Sequence, residues 1–320
     1  MARCLFQLSL VVLLLLAVRL PAQQVGPPAA APAPALGAPA FIPLPVKHQE
    51  YLDEVLKVWE RRSNDIEIYR CEFQRWEFDT VFGPADDAKR YSTGKVKFAN
   101  PDKGLFQVEK ILTYQAPVQP GAKHSYVELK DDYREHWICD GQSVFEFDAQ
   151  RKTVVQQILP PQLQGKAIDQ GPLPFLFRAN ADDLRRRFWM RAITPEKVKL
   201  TEIWLEAYPR TVEDTGNYLK VQIVFDRKQL LPKGLVIYDR NYKKGKNHSR
   251  TVFNFTNREV NFSLPPALLK VFWSNFWEPT VPTGCARKSA RPRCNRLFAI
   301  PSAELASGAS PHDTSQGLLL

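Results

Sequence analysis

Between Ile66 and Thr256 the sequence repeats one pattern about eleven times: a short stretch in which bulky apolar residues alternate with polar ones. Alternation at a period of two places every second side chain on the same face of a strand. Lys95-Val96-Lys97-Phe98, Phe106-Gln107-Val108-Glu109, Val144-Phe145-Glu146-Phe147, Tyr218-Leu219-Lys220-Val221-Gln222-Ile223 and Thr251-Val252-Phe253-Asn254-Phe255-Thr256 show it most clearly. Strands joined by turn-forming segments rather than by long helices predict a large antiparallel sheet. Such a sheet has an apolar face that needs cover, and few helices are on offer to supply it. The expected class is α+β, mainly β.

The expected strands are 66–78, 94–99, 105–113, 125–130, 136–139, 143–147, 153–158, 198–207, 218–226, 233–239 and 250–256. Asn100-Pro101 closes the second, because proline has no ladder donor. Asp140-Gly141 marks the sharpest hairpin, since this pair suits a turn that requires positive φ. A helix is expected from His48 to Arg62, where Tyr51, Leu52, Val55, Leu56 and Trp59 recur on one face. A Pro- and Gly-rich break runs from Pro160 to Met190 and holds a short helix, Ala181 to Phe188, capped by Asn180. The apolar segment Leu268 to Trp273 reads either as a last helix or as irregular packed chain.

The two ends have a different composition. Met1-Ala2-Arg3-Cys4 and an apolar run from Leu8 to Val18 read as a secretory leader ending near Ala22, so residues 1–22 are expected to be removed and the rest to be soluble in a periplasmic or other exported compartment; Leu20, larger than the small residue preferred there, leaves an uncleaved anchor as the alternative. Residues 23–45 are rich in Ala and Pro and suit an extended linker. Residues 46–279 form the expected folded domain, and 280–320 a polar, Arg-rich tail without periodicity. The formal charge of +10 includes Arg3 and Arg19 of the leader and Arg287, Lys288, Arg291, Arg293 and Arg296 of the tail. The body is thus only mildly basic, which argues against a nucleic-acid partner. Cys71, Cys139, Cys285 and Cys294 could pair two by two, or the two in strands could be buried free thiols.

Catalytic constellations are missing. There is no Gly-x-Ser-x-Gly elbow, phosphate-binding loop or His-Glu-x-x-His helix, and His48, His124, His136, His248 and His312 are scattered, so no catalytic residue, metal or cofactor is expected. His136, beside Glu135 and near Asp140, is the best acid–base candidate because a carboxylate can orient an imidazole and raise its pKa. A strand end and a turn explain these residues more simply. Asp182-Asp183 fit a helix N-terminus and Arg185-Arg186-Arg187 a solvated face.

The order of the pieces (leader, amphipathic helix, Gly94-Lys-Val-Lys-Phe-Ala-Asn-Pro101, Cys139-Asp-Gly-Gln-Ser-Val-Phe-Glu-Phe-Asp148, the Pro-rich break, then four more strands) resembles the LolA/LolB-type periplasmic lipoprotein-carrier superfamily over about His48 to Phe262. Leu173-Pro174-Phe175-Leu176-Phe177 and Trp59-Glu60 particularly resemble an uncharacterised secreted family of planctomycete bacteria. The resemblance implies an incomplete barrel of about eleven strands, covered on its concave face by a few helices. It also implies a non-enzymatic, monomeric binding protein for a hydrophobic ligand, a lipid or lipoprotein acyl chain. The implied lining is Val96, Phe98, Phe106, Val108, Phe145, Phe147, Val221, Ile223, Phe225, Phe253 and Phe255, under a lid made of Leu52, Val55, Leu56, Trp59, Phe175 and Phe177. The alternative is a structural or protein-interaction module of the cell envelope without a ligand. The state of the concave face separates the two, since an interior plugged by Trp59, Phe175 and Phe177 counts heavily against a carrier.

Overall fold

The computed structural model describes residues 37–84, 86–117, 119, 122–161, 164, 175–177, 179–263, 283 and 286–290. The leader, most of the linker, the segment Leu268 to Trp273, Cys285 and Cys294 lie outside the described residues.

A single curved, unclosed sheet dominates, as the alternation requires. Its strands are β1 (Ile68–Phe78), β2 (Arg90–Ala99), β3 (Lys103–Gln115), β4 (Ser125–Glu128), β5 (His136–Cys139), β6 (Ser143–Asp148), β7 (Thr153–Ile158), β8 (Phe188–Ala192), β9 (Glu202–Pro209), β10 (Lys220–Asp226), β11 (Pro232–Tyr238), β12 (Arg250–Val260) and β13 (Ala286–Ala290). They lie in the order β13-β7-β6-β5-β3-β2-β1-β12-β11-β10-β9-β8, with β4 also paired to β3. Neighbours are antiparallel except β13, which runs parallel to β7. All eleven expected strands are present, and the two additional ones, β8 and β13, form the two edges.

This topology explains the Pro-rich break. Two consecutive runs, β1–β7 and β8–β12, meet at the β1–β12 pair, so the chain leaving β7 at one end of the sheet must reach β8 at the other. Three described residues of that crossover, Phe175, Leu176 and Phe177, lie in the main core.

Helix α1 (Val46–Asn64) buries Leu52, Val55, Leu56 and Trp59, the face its periodicity marks, against the sheet. Helix α2 (Ala181–Arg187) starts as expected: the Asn180 side chain accepts a hydrogen bond from the Asp183 amide at 2.8 Å. It ends one residue early, because Phe188 is already extended and opens β8. A short third helix, α3 (Val212–Asn217), is capped by Thr211. Gly141 has φ +91° between β5 and β6, and Asp140 accepts from the amides of Gln142 and Ser143, which is the expected hairpin.

Candidate functional site

Strand register assigns each side chain to a face. In β1, Tyr69, Cys71, Phe73 and Arg75 share the inner face under α1, and their partners Phe98, Val96, Gly94 and Ser92 in β2 do the same. From there the inner face continues through Phe106 and Val108 of β3, Phe253 and Phe255 of β12, Leu235 and Ile237 of β11, and Val221, Ile223 and Phe225 of β10. Nine of the eleven expected lining residues therefore meet on one face. All six lid residues pack on it.

That face is filled. Phe98, Ile223, Phe225 and Leu56 are 0 % exposed, Trp59 and Phe175 1 %, and Phe177 5 %. Side chains so completely covered leave almost none of their surface to water. The aromatic rings account for the filling. Trp137, Phe106 and Phe73 stack in a row with centroid spacings of 5.2 and 4.8 Å, and Phe253 continues the row edge-on at 5.8 Å. Phe177 lies flat on Phe98 at 4.6 Å and edge-on to Tyr69 at 5.2 Å, while the Trp59 ring meets Phe225 at 4.8 Å. Each such pair contributes about 0.5–1.5 kcal/mol beyond its buried area. Tyr69, Phe73 and Trp137 complete this lining although the sequence reading did not single them out; each occupies the same alternation phase as a neighbour that faces inward.

Phe145 and Phe147 correct the expected lining. Phe145 pairs with Ile138 and Phe147 with Val154, in the register that carries Leu105, so both point to the outer face. A second small apolar cluster, Ala99, Leu105 and Ile138 with Ile68 and Phe147, lies there.

The cover is fastened at polar points along its margin. Ser63 of α1 accepts from the Ala179 amide at 2.8 Å, Asn180 donates to Glu60 at 3.0 Å, and Arg185 of α2 pairs with Asp53 of α1 at 2.8 Å. Arg187 is bidentate to Asp214 of α3 at 2.7 and 3.2 Å; burial opposes its charge, but the hydrogen bonds to Asp214 outweigh that and raise its pKa. Two of the three arginines thus tie helices together instead of forming a solvated face.

Two charged groups are buried in the sheet. Arg75, 2 % exposed on the inner face, donates to both oxygens of Glu135 at 2.9 Å and to Ser92 Oγ at 2.9 Å; desolvation opposes its charge, and the Glu135 carboxylate overcomes it. On the outer face Glu206, also 2 % exposed, accepts from Arg191, Lys220 and Gln222. Burial alone would raise its pKa, but the hydrogen bonds from Lys220 and Arg191 lower it.

These contacts also answer the question of His136. Its neighbour Glu135 is committed to Arg75, and the imidazole instead stacks on Phe147 at 4.3 Å. Burial, with the charge of Lys95, lowers its pKa to about 4, so the ring is neutral at pH 7. The neighbouring carboxylate does not raise it. His136 lines an outer-face groove of about 640 Å³ with Gln107, Glu109, Arg134, Phe147 and Lys152. Cys71 and Cys139 are free, buried thiols, each pushed up to about 12 by desolvation; they are not paired with each other.

No family model and no curated protein matches the chain. Among solved structures, it is similar to an uncharacterised conserved protein from Thermus thermophilus (TM-score 0.39, 10% identity, 75% of this chain and 99% of that one). It is also similar to the MucA/MucB complex of Pseudomonas aeruginosa (0.34, 13%, 68% and 60%) and to a LolA superfamily protein from Nitrosomonas europaea (0.29, 11%, 67% and 96%). At these scores and identities the likenesses carry no argument about a ligand or partner.

Proposed function

We propose that this is an exported, non-enzymatic binding protein that takes up an acyl chain or comparable hydrophobic tail on the inner face of the sheet, in exchange for the aromatic segment Phe175–Phe177. The observation that carries this reading is the kind of cover the face has. Among the described residues, an apolar surface spanning β3 to β8 is covered by α1, by Phe175, Leu176 and Phe177 of the crossover and by Ala181 and Leu184 of α2; polar bonds at the margin tie α1 to Ala179, Asn180 and Arg185, and none of these bonds is made by Phe175–Phe177.

The interior plugged by Trp59, Phe175 and Phe177 counts against a carrier with a preformed cavity, so on this reading binding is linked to opening, and the energies set a limit on the ligand. Exposing Phe175, Leu176 and Phe177 costs roughly 5–9 kcal/mol at about 1.5–3 kcal/mol per side chain, while each buried methylene returns about 0.8 kcal/mol. Chains shorter than about six carbons cannot drive the exchange, and chains longer than about twelve can. The test is lipid extraction and native mass spectrometry of protein purified from its own envelope, followed by titration with fatty acids of increasing length. A co-purifying lipid and saturable binding whose onset lies between about six and twelve carbons is the expected result. Absence of lipid, and no binding at any length, would end the carrier reading.

The second reading, an envelope scaffold or protein-interaction module without a ligand, is favoured by the filled interior itself. It predicts that removing residues 23–45 and 280–320 abolishes envelope association while no lipid is ever recovered.

A further inference from the structure

We infer that the end of the sheet formed by the β1–β2 turn and the β11–β12 loop docks on an anionic membrane surface. This goes beyond the proposed function and stands whether or not the inner face takes a ligand. Two large apolar side chains sit at the tip of the β1–β2 turn, Val81 at 72 % and Phe82 at 74 % exposure. Side chains of this kind left in water next to a concentration of one charge sign mark an interaction surface.

The charge comes from the other loop. Between Tyr238 and Arg250 the chain carries Arg240, Lys243, Lys244 and Lys246, all exposed, and among the described residues none of the four makes an ion pair. Asp239 is the one acid in that loop. A hydrogen-bonded joint holds the two loops together. The Thr80 hydroxyl donates to Asn247 Oδ1 at 3.0 Å and accepts from the His248 amide at 2.8 Å, and the Thr80 amide donates to Ser249 Oγ at 3.0 Å. The apolar pair thus begins one residue past this joint and the lysines end one residue before it.

The acids of the β1–β2 turn bear on the charge balance and are partly accounted for. Asp79 is paired with Lys89 at 2.8 Å and also accepts from the amides of Val81 and Phe82, which shapes the tip; Asp87 lies 3.4 Å from His124; Asp86 is exposed. The cations of the loop outnumber what remains.

An anionic bilayer offers both things this surface can use. Its surface potential attracts cations by about 1 kcal/mol each, equivalent to about five-fold in partitioning, within a Debye length. Its headgroup region accepts a shallow apolar wedge such as Val81 and Phe82. Co-sedimentation of the chain from Gln23 onward, without the expected leader, with vesicles of phosphatidylglycerol and phosphatidylethanolamine, compared with vesicles of phosphatidylcholine alone, tests it. The triple variant Lys243→Gln, Lys244→Gln, Lys246→Gln should lower partitioning onto the anionic vesicles on the order of 100-fold, and Val81→Ser with Phe82→Ser about ten-fold or more. Circular dichroism checks that these exposed substitutions leave the fold intact. Equal binding of parent and triple variant to anionic vesicles, or equal binding of the parent to both vesicle types, would overturn the inference.

Discussion

At the scale of single residues, the sheet's demands show best where a side chain is missing or neutral. Gly94 faces Phe73 across β1–β2, and a Cβ there would collide with the Gln107 carbonyl oxygen and lie 2.6 Å from Phe73 Cζ. The first obstacle is backbone and cannot rotate away, so Gly94→Ala should cost at least about 2 kcal/mol in a denaturant titration. His136 makes a pH prediction. Its folded pKa, about 4, lies below the ordinary 6.5, so as pH falls from 6.5 towards 4 the unfolded chain binds a proton that the folded chain refuses. Stability from this group is therefore complete above pH 6.5 and declines through that window, by at most about 3 kcal/mol and by less for the part of the ring that meets solvent. His136→Gln removes the titration. The stability difference between parent and variant should change between pH 6.5 and 4 and stay flat above pH 7; a difference equally flat across both ranges would refute the assignment. Glu206 acts in the same direction at lower pH, since its lowered pKa gives stability present above the usual carboxylate range and lost as pH falls through its folded value.

At the scale of elements, what was legible in the sequence follows from how each element is held. Ten of the eleven expected strands were readable because they bury residues on one face, and α1 because its buried residues recur at helical spacing; β4, paired only with β3, has no buried residue. Strand β8 was hidden because Phe188, Met190 and Ala192 face inward while Trp189, on the opposite side, is itself bulky, so Phe-Trp-Met shows no alternation. It also begins at the residue where α2 stops, with no turn between them. Strand β13, Ala-Arg-Lys-Ser-Ala, pairs through its backbone and carries almost no pattern to read. Phe145 and Phe147 were placed on the wrong face for a different reason: near β5 to β7 the sheet has apolar residues on both sides, and alternation tells which residues share a face but not which face is inward. The polar fastenings were not legible either, since Asp53–Arg185 and Ser63–Ala179 join positions more than a hundred residues apart. Asn180 does two jobs, capping α2 and reaching Glu60 of α1. Asn180→Ala should therefore destabilise by about 1 kcal/mol for the lost cap, with hydrogen exchange rising first in α2 and the adjoining part of α1.

At the scale of the whole molecule, an unclosed sheet has two edges, and this chain treats them differently. At one edge β8 is continuous with α2, whose Arg185 is tied to α1, so the strand is anchored through its helix. At the other, β7 would present a free row of amides and carbonyls if the tail did not add β13 to it. An uncovered edge is a template for another chain. What β13 contributes is mostly backbone pairing: Arg287 reaches Gln156 and lies over Phe145, but Ala286, Arg287 and Lys288 are exposed. Removing residues 283–320 should therefore alter two measurements very unequally. The unfolding midpoint should move by only a few degrees, because little apolar area is lost, roughly 1 kcal/mol or less. Sedimentation velocity should show concentration-dependent self-association that the parent lacks, because β7 is then open along its length. Restoring the tail with Ala286→Pro and Ala290→Pro, which removes amides on the side of β13 that faces β7 and leaves the charge of the tail unchanged, should leave the association in place. If that double-proline chain were as monomeric as the parent, protection would come from the charge of the tail rather than from its strand.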